Sequence, residues 1–483
     1  MATTVNLKKL LHRKAWETCT SAPAATTANG CFIVSDKYDV VNSGHIMMMT
    51  GAAAVYLYEA DADGWTALPA SGATGTFGAG SCGEYRLLGA MGGAFTQTAT
   101  AGSTTTITTN RTIVRSLAGK RIRVIAGAGL GYDDTIASNT LGANAVITVT
   151  TPSGVAFDAT TQFQVLSGSL WFFNAGATGF SVYDIATNAW NGRSVTGLPA
   201  WGVTGQLVST IGLSGSFATG LATAGGATTL TNGLKSWATN MFANFQVRIT
   251  GGTGKGQIRP IASNTGTVLT VSTAWAVNPD ATSTYSIEGN GDVFYLLGNN
   301  AVTMYKYTVS TNTWATLAPV AARAGAMAGG GTADWVDNVV GWDNETQVAH
   351  YSTTLYKQNG RYIYSFRGGA TSTLDVYDIA ANTWISGVAY GYQQETFTTG
   401  SSSCDMDGII YLMKEATGRT FAFDVAKHII EPFATNTAQV QLGGTAVEGD
   451  KIALVPYVDG ATKINYVYQI RHSGADFLRM MVI

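Results

Sequence analysis

Charge is scarce in this chain of 483 residues: Asp, Glu, Lys and Arg together make up 12%, about half the ~25% of an ordinary soluble protein. The formal net charge is −2, which leaves no basic footprint for nucleic-acid recognition. The densest basic run, Lys8, Lys9, Arg13 and Lys14, reads as an arm for a neighbouring subunit, a contact for an anionic surface, or a solvated lead. No apolar stretch reaches the roughly 18–20 residues of a spanning helix, so no transmembrane segment is expected. The first residues also lack the apolar core of a secretory signal. Histidine is rare and dispersed (His12, His45, His350, His428 and His472), with no pair at metal-ligand spacing. The four cysteines, Cys19, Cys31, Cys82 and Cys404, form no CxxC pair. That argues against a zinc site and reads as reduced core residues. No cluster of carboxylates or arginines offers a catalytic constellation. The expectation is a protein with no enzymatic turnover, no cofactor and no metal.

Glycine, 58 residues of it, fills part of the gap together with alanine and threonine. Within this neutral background one pattern recurs. A tyrosine is followed seven residues later by a tryptophan at Tyr58/Trp65, Tyr183/Trp190, Tyr307/Trp314 and Tyr377/Trp384. The intervening text repeats as YDIATNAW, YTVSTNTW and YDIAANTW, more weakly as YEADADGW, and once as FDVAKHII with isoleucine in place of the tryptophan. Each copy reads as a strand, a tight turn and a strand. Asparagine at Asn188, Asn312 and Asn382 sits in the turn, where a positive φ is tolerated.

The anchors Tyr58, Tyr183, Tyr307, Tyr377 and Phe423 are separated by 125, 124, 70 and 46 residues, and Tyr468 lies 45 further on. The bare period of 45–46 residues is that of a four-stranded propeller blade. With the excess removed, the rest divides into six units. Each anchor is preceded by a short apolar run after a turn residue, such as SLWFFNAG after Gly168 or DVFYLLG after Gly291; such runs are buried strands. Glycine-rich stretches ahead of them suit crowded innermost strands. The fold expected is therefore all-β, a six-bladed β-propeller. Its innermost strand of blade one should lie near Cys31–Ser35 and its outermost strand of blade six near Phe477–Ile483, each terminus bracketing whole blades. The tryptophans are expected to be buried at equivalent places, covering the seams between blades.

The excess residues form insertions that resemble each other. ATAG at 99–102 and 222–225 leads into a threonine-rich strand, IASNT recurs at 136–140 and 261–265, and Asp-Ala-Thr turns open at Asp158 and Asp280. Alternating apolar and polar residues with glycine turns make each a small antiparallel β module. The organisation expected is a lead over 1–30, a propeller over 31–483, inserted modules at 95–168 and 215–290, and a short insertion at 332–359. All three insertions fall between the first and second strands of a blade, so they should protrude from one face.

An apolar strand running into glycine, then Tyr-Asp and Trp with Asn between, resembles the kelch repeat. The likeness covers the six-unit body, and its double glycine survives at Gly368–Gly369. It implies a kelch-like propeller used as a binding scaffold, without naming a chemistry. The insertions, with their IASNT strands and Asp-Ala-Thr turns, resemble modules of tailed-bacteriophage virion proteins. That resemblance implies a structural virion component made in the host cytoplasm, of tail or nozzle type, whose partners are other virion proteins and copies of itself. A host-surface or glycan-binding appendage, or a capsid decoration protein, is the alternative.

Several local features invite sharper readings. GGTGKGQ at 251–257 looks like a phosphate loop but lacks the strand–loop–helix context and the Lys-Ser/Thr step, so a hairpin turn is expected. ADADGW at 60–65 lacks the Ser/Thr opening of a sialidase aspartate box, and no Tyr, Cys and His set marks a copper oxidase. Asp133, Asp134, Asp405 and Asp407 lie near turns and could hold calcium, with turn formation the simpler role. Trp335, Trp342 and Tyr351 could stack on sugars, with core or interface packing the simpler role.

Overall fold

The computed structural model describes residues 16–23, 32–35, 44–49, 54–68, 78, 80–176, 179–202, 204–210, 218–289, 292–336, 342–343, 348–349, 360–392, 395–398, 401–406, 408–414, 419–434, 451–459, 462–470 and 477–482. Among them there is no α-helix, and strands build six propeller sheets, two larger inserted ones and a two-stranded pair, Trp342–Asp343 with Val348–Ala349. Blade one runs outward from the axis as Phe32–Ser35, His45–Met49, Val55–Glu59 and Gly64–Ala67. Blade two begins at Cys82–Arg86 and continues after a long excursion with Ser169–Asn174, Gly179–Asp184 and Ala189–Arg193. Blades three, four and five begin at Gly205–Ser209, Thr332–Trp335 and Ser402–Met406, and blade six at Lys451–Asp459. These six innermost strands lie side by side around the axis, and the last packs against Phe32–Ser35 of the first. The ring closes on six.

The second and third strands of a blade are covered on both faces by neighbouring blades. That is why Ser169–Asn174, Gly179–Asp184 and Val293–Gly298 are buried at every position and read as continuous apolar runs. Alternation would have left one face to water. Aromatic contacts cross the seams: Phe180 of blade two lies 5.1 Å from Trp314 of blade three, and Tyr295 lies 5.9 Å from Tyr377 of blade four.

Closure differs from the expectation. The outermost strand of blade six is not the C-terminal segment but Trp16–Thr18, paired antiparallel with Phe477–Val482. Glu17 accepts from Arg479 at 3.1 Å, and Phe477 packs 4.7 Å from Tyr58 of blade one. Segments from both ends of the sequence thus complete one sheet, which ties the ring shut and covers the edge of Phe477–Val482 with a strand of three residues. Thr332–Trp335, assigned to the third insertion from the sequence, is also a blade strand, the innermost of blade four.

The repeat explains itself in the rim hairpins. Each tyrosine faces its tryptophan across the two outer strands: Tyr58↔Trp65, Tyr183↔Trp190, Tyr307↔Trp314 and Tyr377↔Trp384. Ring centroids lie 5.1, 5.2, 5.0 and 5.2 Å apart in that order. The hydroxyls of Tyr183, Tyr307 and Tyr377 donate to Oδ1 of Asn188, Asn312 and Asn382 at 2.7 Å, and Tyr58 does the same to Asp63. The three asparagines stand at φ 50, 55 and 48°, and Asp63 at 45°, the left-handed region that short polar side chains enter most readily. His428, at φ 53°, takes the asparagine's place in blade five, where Phe423 has no hydroxyl to offer.

The turn residue also reaches the preceding blade. Asp63 Oδ1 accepts the Thr20 amide at 2.9 Å, Asn312 Oδ1 accepts the Ser194 amide at 2.9 Å, and Asn382 Nδ2 donates to the Ala318 carbonyl at 3.0 Å. Trp65 and Trp314 follow suit, their indole N–H groups donating to the Thr20 and Ser194 carbonyls at 3.0 and 2.9 Å. The Tyr–Asn–Trp set is a tie between blades. Equivalence is incomplete: Trp314 and Trp384 are buried, whereas Trp190 is only partly so.

The two inserted sheets each have seven strands in the same order. Module one spans strands Gln97–Thr98 to Gln162–Leu166, and module two Ala218–Leu221 to Thr284–Glu288. Their cores superimpose by sequence: Ile107, Ile122, Ile136, Ile147, Phe163 and Val165 answer to Leu230, Val247, Ile261, Leu269, Tyr285 and Ile287, all buried. IASNT is a clamp. Asn139 and Asn264 accept the Leu117 and Phe242 amides at 2.6 and 2.8 Å and donate back to carbonyls of the crossing segment. Thr140 and Thr265 then receive the amides of Val146 and Val268. Asp158 and Asp280 bind both the amide and the hydroxyl of Thr160 and Thr282, closing the Asp-Ala-Thr turns. Module one has its own core, while that of module two runs on into Val293, Tyr295, Ile363 and Tyr377 of blades three and four.

Candidate functional site

Both modules leave the ring between the innermost and second strands of adjacent blades, so they stand side by side on one face. Equivalent central strands, RIRVIA at Arg121–Ala126 and QVRITG at Gln246–Gly251, place Arg123 and Arg248 at matching positions. The two arginines share two carboxylates. Arg123 meets Glu288 at 3.0 Å and Asp133 at 3.6 Å; Arg248 meets Glu288 at 2.9 Å and Asp133 at 2.9 Å. Asp133 belongs to module one and Glu288 to module two, so each carboxylate bridges the pair. The four side chains are only 5–14% exposed, which keeps solvent screening weak. Burial lowers the pKa of Arg123 while Glu288 raises it again, and the guanidinium stays charged.

The glycine turns complete the contact. Gly131 and Gly256 have φ of 85 and 90°. A Cβ on Gly256 would lie 2.5 Å from the Gly131 nitrogen, and one on Gly131 would meet the Lys255 side chain at 2.8 Å. Only a backbone without side chains lets the two turns meet this closely. GGTGKGQ is thus a strand–turn–strand element, with Gln257 Nε2 donating to the Gly254 and Val277 carbonyls.

Beneath this seam, between the two modules and the roofs of blades two and three, lies a cavity of about 860 Å³. Leu88, Phe95, Leu166, Ile258, Pro260 and Val309 give it an apolar lining. Its charged lining is Arg86, Arg123, Arg259, Glu288 and Asp292. Arg86 ends the innermost strand of blade two and lies 4.5 Å over the Phe95 ring; Phe95 in turn stacks on Trp171 at 5.7 Å. Arg193 approaches the other members of that stack, 5.1 Å from Phe95 and 5.4 Å from Trp171.

The remaining candidates fall elsewhere. Tyr58, Tyr183, Tyr307 and Tyr377, with Trp65, Trp190, Trp314 and Trp384, are spread around the rim in the outer hairpins of their blades and line no common site. Asp134 accepts from the Tyr132 hydroxyl and the Thr151 amide, the turn role. Asp133 is an ion-pair partner. Among the described residues no three His, Cys, Asp or Glu side chains converge as a metal site. Trp335 is buried at the top of blade four, its indole donating to the Gly360 carbonyl at 2.8 Å, so it is not a stacking platform. Cys19, Cys82 and Cys404 carry no disulfide. Lys8, Lys9, His12, Arg13, Lys14, Cys31, His350, Tyr351, Asp407 and His472 lie outside the described residues, as do the side chains of Trp342. Sequence reasoning passed over Arg86, Arg123, Arg248 and Glu288; the one available signal was the arginine shared by KRIRV and FQVRI.

These features define a six-bladed β-propeller carrying two interlocked β modules on one face. Neither a protein-family model nor a curated protein matches the chain. Among solved structures it is similar to the hydrazine synthase of Kuenenia stuttgartiensis at 8% identity and a TM-score of 0.27. That alignment covers 66% of this chain and 63% of the other. At so low a TM-score nothing is drawn from the likeness.

Proposed function

We propose that the chain is a structural component of a tailed-bacteriophage virion, a tail propeller of nozzle type that acts as an assembly scaffold. The observation that supports this reading most is the composite face. Two modules of one topology are fixed to each other by shared ion pairs and stand on a closed ring, where they offer partners a rigid and broadly neutral surface. Threonine, glycine and alanine at such a surface are less strongly hydrated than charged side chains, and interface cores are depleted in charge. The partners are other virion proteins and copies of this chain, in particles assembled in the host cytoplasm, and the chain performs no catalytic turnover.

Two measurements test it together. Mass spectrometry of purified particles should find the chain at a fixed copy number; its absence sinks the proposal. Replacing residues 95–168 by a Gly-Ser bridge should leave the propeller folded, because Arg86 and Ser169 are already partners across adjacent strands and module one has its own core. Particle assembly should then fail. Normal infectious particles from the deleted chain would move the host-surface or glycan-binding appendage, or the capsid decoration role, ahead of scaffolding.

A further inference from the structure

Arg86 lines the cavity under the modules with no carboxylate in hydrogen-bond reach among the described residues. Arg86 is 5% exposed, and its Nε and Nη1 are buried without a hydrogen-bond partner. The other charges around it are committed. Glu288 is shared by Arg123 and Arg248. Asp292 receives the amide and hydroxyl of Ser310 at 2.7 and 2.6 Å. Arg259 donates to the Ala274 and Ile258 carbonyls and lies 5.7 Å over Trp275. Arg193, the other guanidinium on the Phe95 stack, gives Nη2 to the Gly93 carbonyl but leaves Nε unpartnered. Burial pulls the pKa of Arg86 down to about 10, with Asp292 pushing the other way, so the group is still cationic at neutral pH. A buried guanidinium without an ion pair is costly, and an anion in the cavity would offset that cost.

We infer that this cavity is a binding site for a small monocarboxylate with an apolar body, its carboxylate received by Arg86 and its body lodged between the modules. The chemistry of the lining selects the class. A guanidinium binds a carboxylate through charge-assisted hydrogen bonds. Leu88, Phe95, Leu166, Ile258, Pro260 and Val309 favour an apolar remainder, whereas Glu288 and Asp292 disfavour a dianion such as phosphate. The volume of about 860 Å³ falls within the range of small-molecule pockets. The site stands apart from the assembly reading, since it needs only the folded chain.

Calorimetric titration of the full chain with 4-phenylbutyrate, octanoate, 4-phenylbutanamide and inorganic phosphate tests it. At least one carboxylate should bind one to one, and 4-phenylbutyrate should bind about tenfold to a hundredfold more tightly than its neutral amide. Phosphate should not compete. Arg86→Met should abolish the preference for acid over amide while keeping or raising the melting temperature, because it removes a buried cation that makes no ion pair. Ile258→Trp, which leaves Arg86 in place and narrows the apolar lining beside it, should weaken the binding of acid and amide alike. The inference is overturned if neither carboxylate binds below about 10 mM, if acid and amide bind alike, or if Ile258→Trp binds as wild type does. A fall in stability of Arg86→Met with unchanged carboxylate binding would show that Arg86 serves only to pack on Phe95.

Discussion

Trp314→Ala probes the tie between blades where its parts are best defined. The side chain is 6% exposed, lies 5.0 Å from Tyr307 in its own blade and 5.1 Å from Phe180 in blade two, and donates to the Ser194 carbonyl. Truncating a buried tryptophan costs about 3–5 kcal/mol through lost burial and the cavity left behind. Leaving the Ser194 carbonyl without its donor adds about 1 kcal/mol. The total expected is about 4–6 kcal/mol. Trp190→Ala is the internal control, because that indole is only partly buried and its Nε1 has no partner; its cost should be about 1–3 kcal/mol. Urea unfolding followed by far-UV circular dichroism gives both values under one condition. Equal losses for the two variants would refute the reasoning, since they would show that the blade-to-blade contacts of Trp314 contribute nothing beyond its cross-strand packing on tyrosine.

Two further predictions concern a buried acid and the closure of the ring. Burial, opposed by hydrogen bonds from Thr187 and the Ala90 amide, raises the Asp184 carboxyl from 3.8 to about 6; the native state therefore holds its proton more tightly than the unfolded chain. Its contribution is complete below about pH 4 and is lost as pH rises through about 6, a change of up to about 3 kcal/mol. Urea midpoints at pH 4.5 and 7.5 should converge in Asp184→Asn relative to wild type, and an unchanged slope would contradict the assignment. Deleting residues 1–20 removes Trp16–Thr18 and bares the edge of Phe477–Val482; a melting temperature lower by roughly 10 °C and association by size-exclusion chromatography are expected, and a monomer of wild-type stability would show that the closing strand is dispensable.

What could be read from the sequence was whatever chemistry repeats locally. Tyr, Asn and Trp at fixed offsets are imposed by one hairpin geometry, so four copies revealed the blade, while its period was legible in the spacing of Tyr377, Phe423 and Tyr468. IASNT and Asp-Ala-Thr were visible as repeats for the same reason, because each is satisfied by hydrogen bonds inside its own module. Trp16–Thr18 was missed because it is three residues long and carries no hairpin of its own; it becomes a strand only by pairing with a segment more than 450 residues away. Thr332–Trp335 was absorbed into an insertion because an innermost strand has no signature beyond small residues nearby. The candidate site is the least legible part. Arg86, Phe95, Ile258 and Asp292 belong to blade two, the two modules and blade three, and nothing local in the text says that these elements meet.

The pairing of the modules raises a question of specificity, since two units of one topology could as well pair with their counterparts in another chain. The ion pairs answer it by being unequal. The arginines are equivalent, Arg123 in one module and Arg248 in the other, but the carboxylates are not. Aligned strand by strand, Asp133 corresponds to Ile258 and Glu288 to Leu166. A module-one pair would therefore bring Asp133 twice and no counterpart of Glu288; a module-two pair would bring Glu288 twice and no counterpart of Asp133. Either combination keeps two arginines and two carboxylates, so the count of charges is unchanged and any discrimination rests on where the carboxylates sit. Module one against module two places each carboxylate between both arginines. The insertion points then make that pairing intramolecular, because blades two and three are neighbours in the ring and each carries one partner. Under the proposed assembly role, contacts with other copies or other proteins would fall on module surfaces away from this seam.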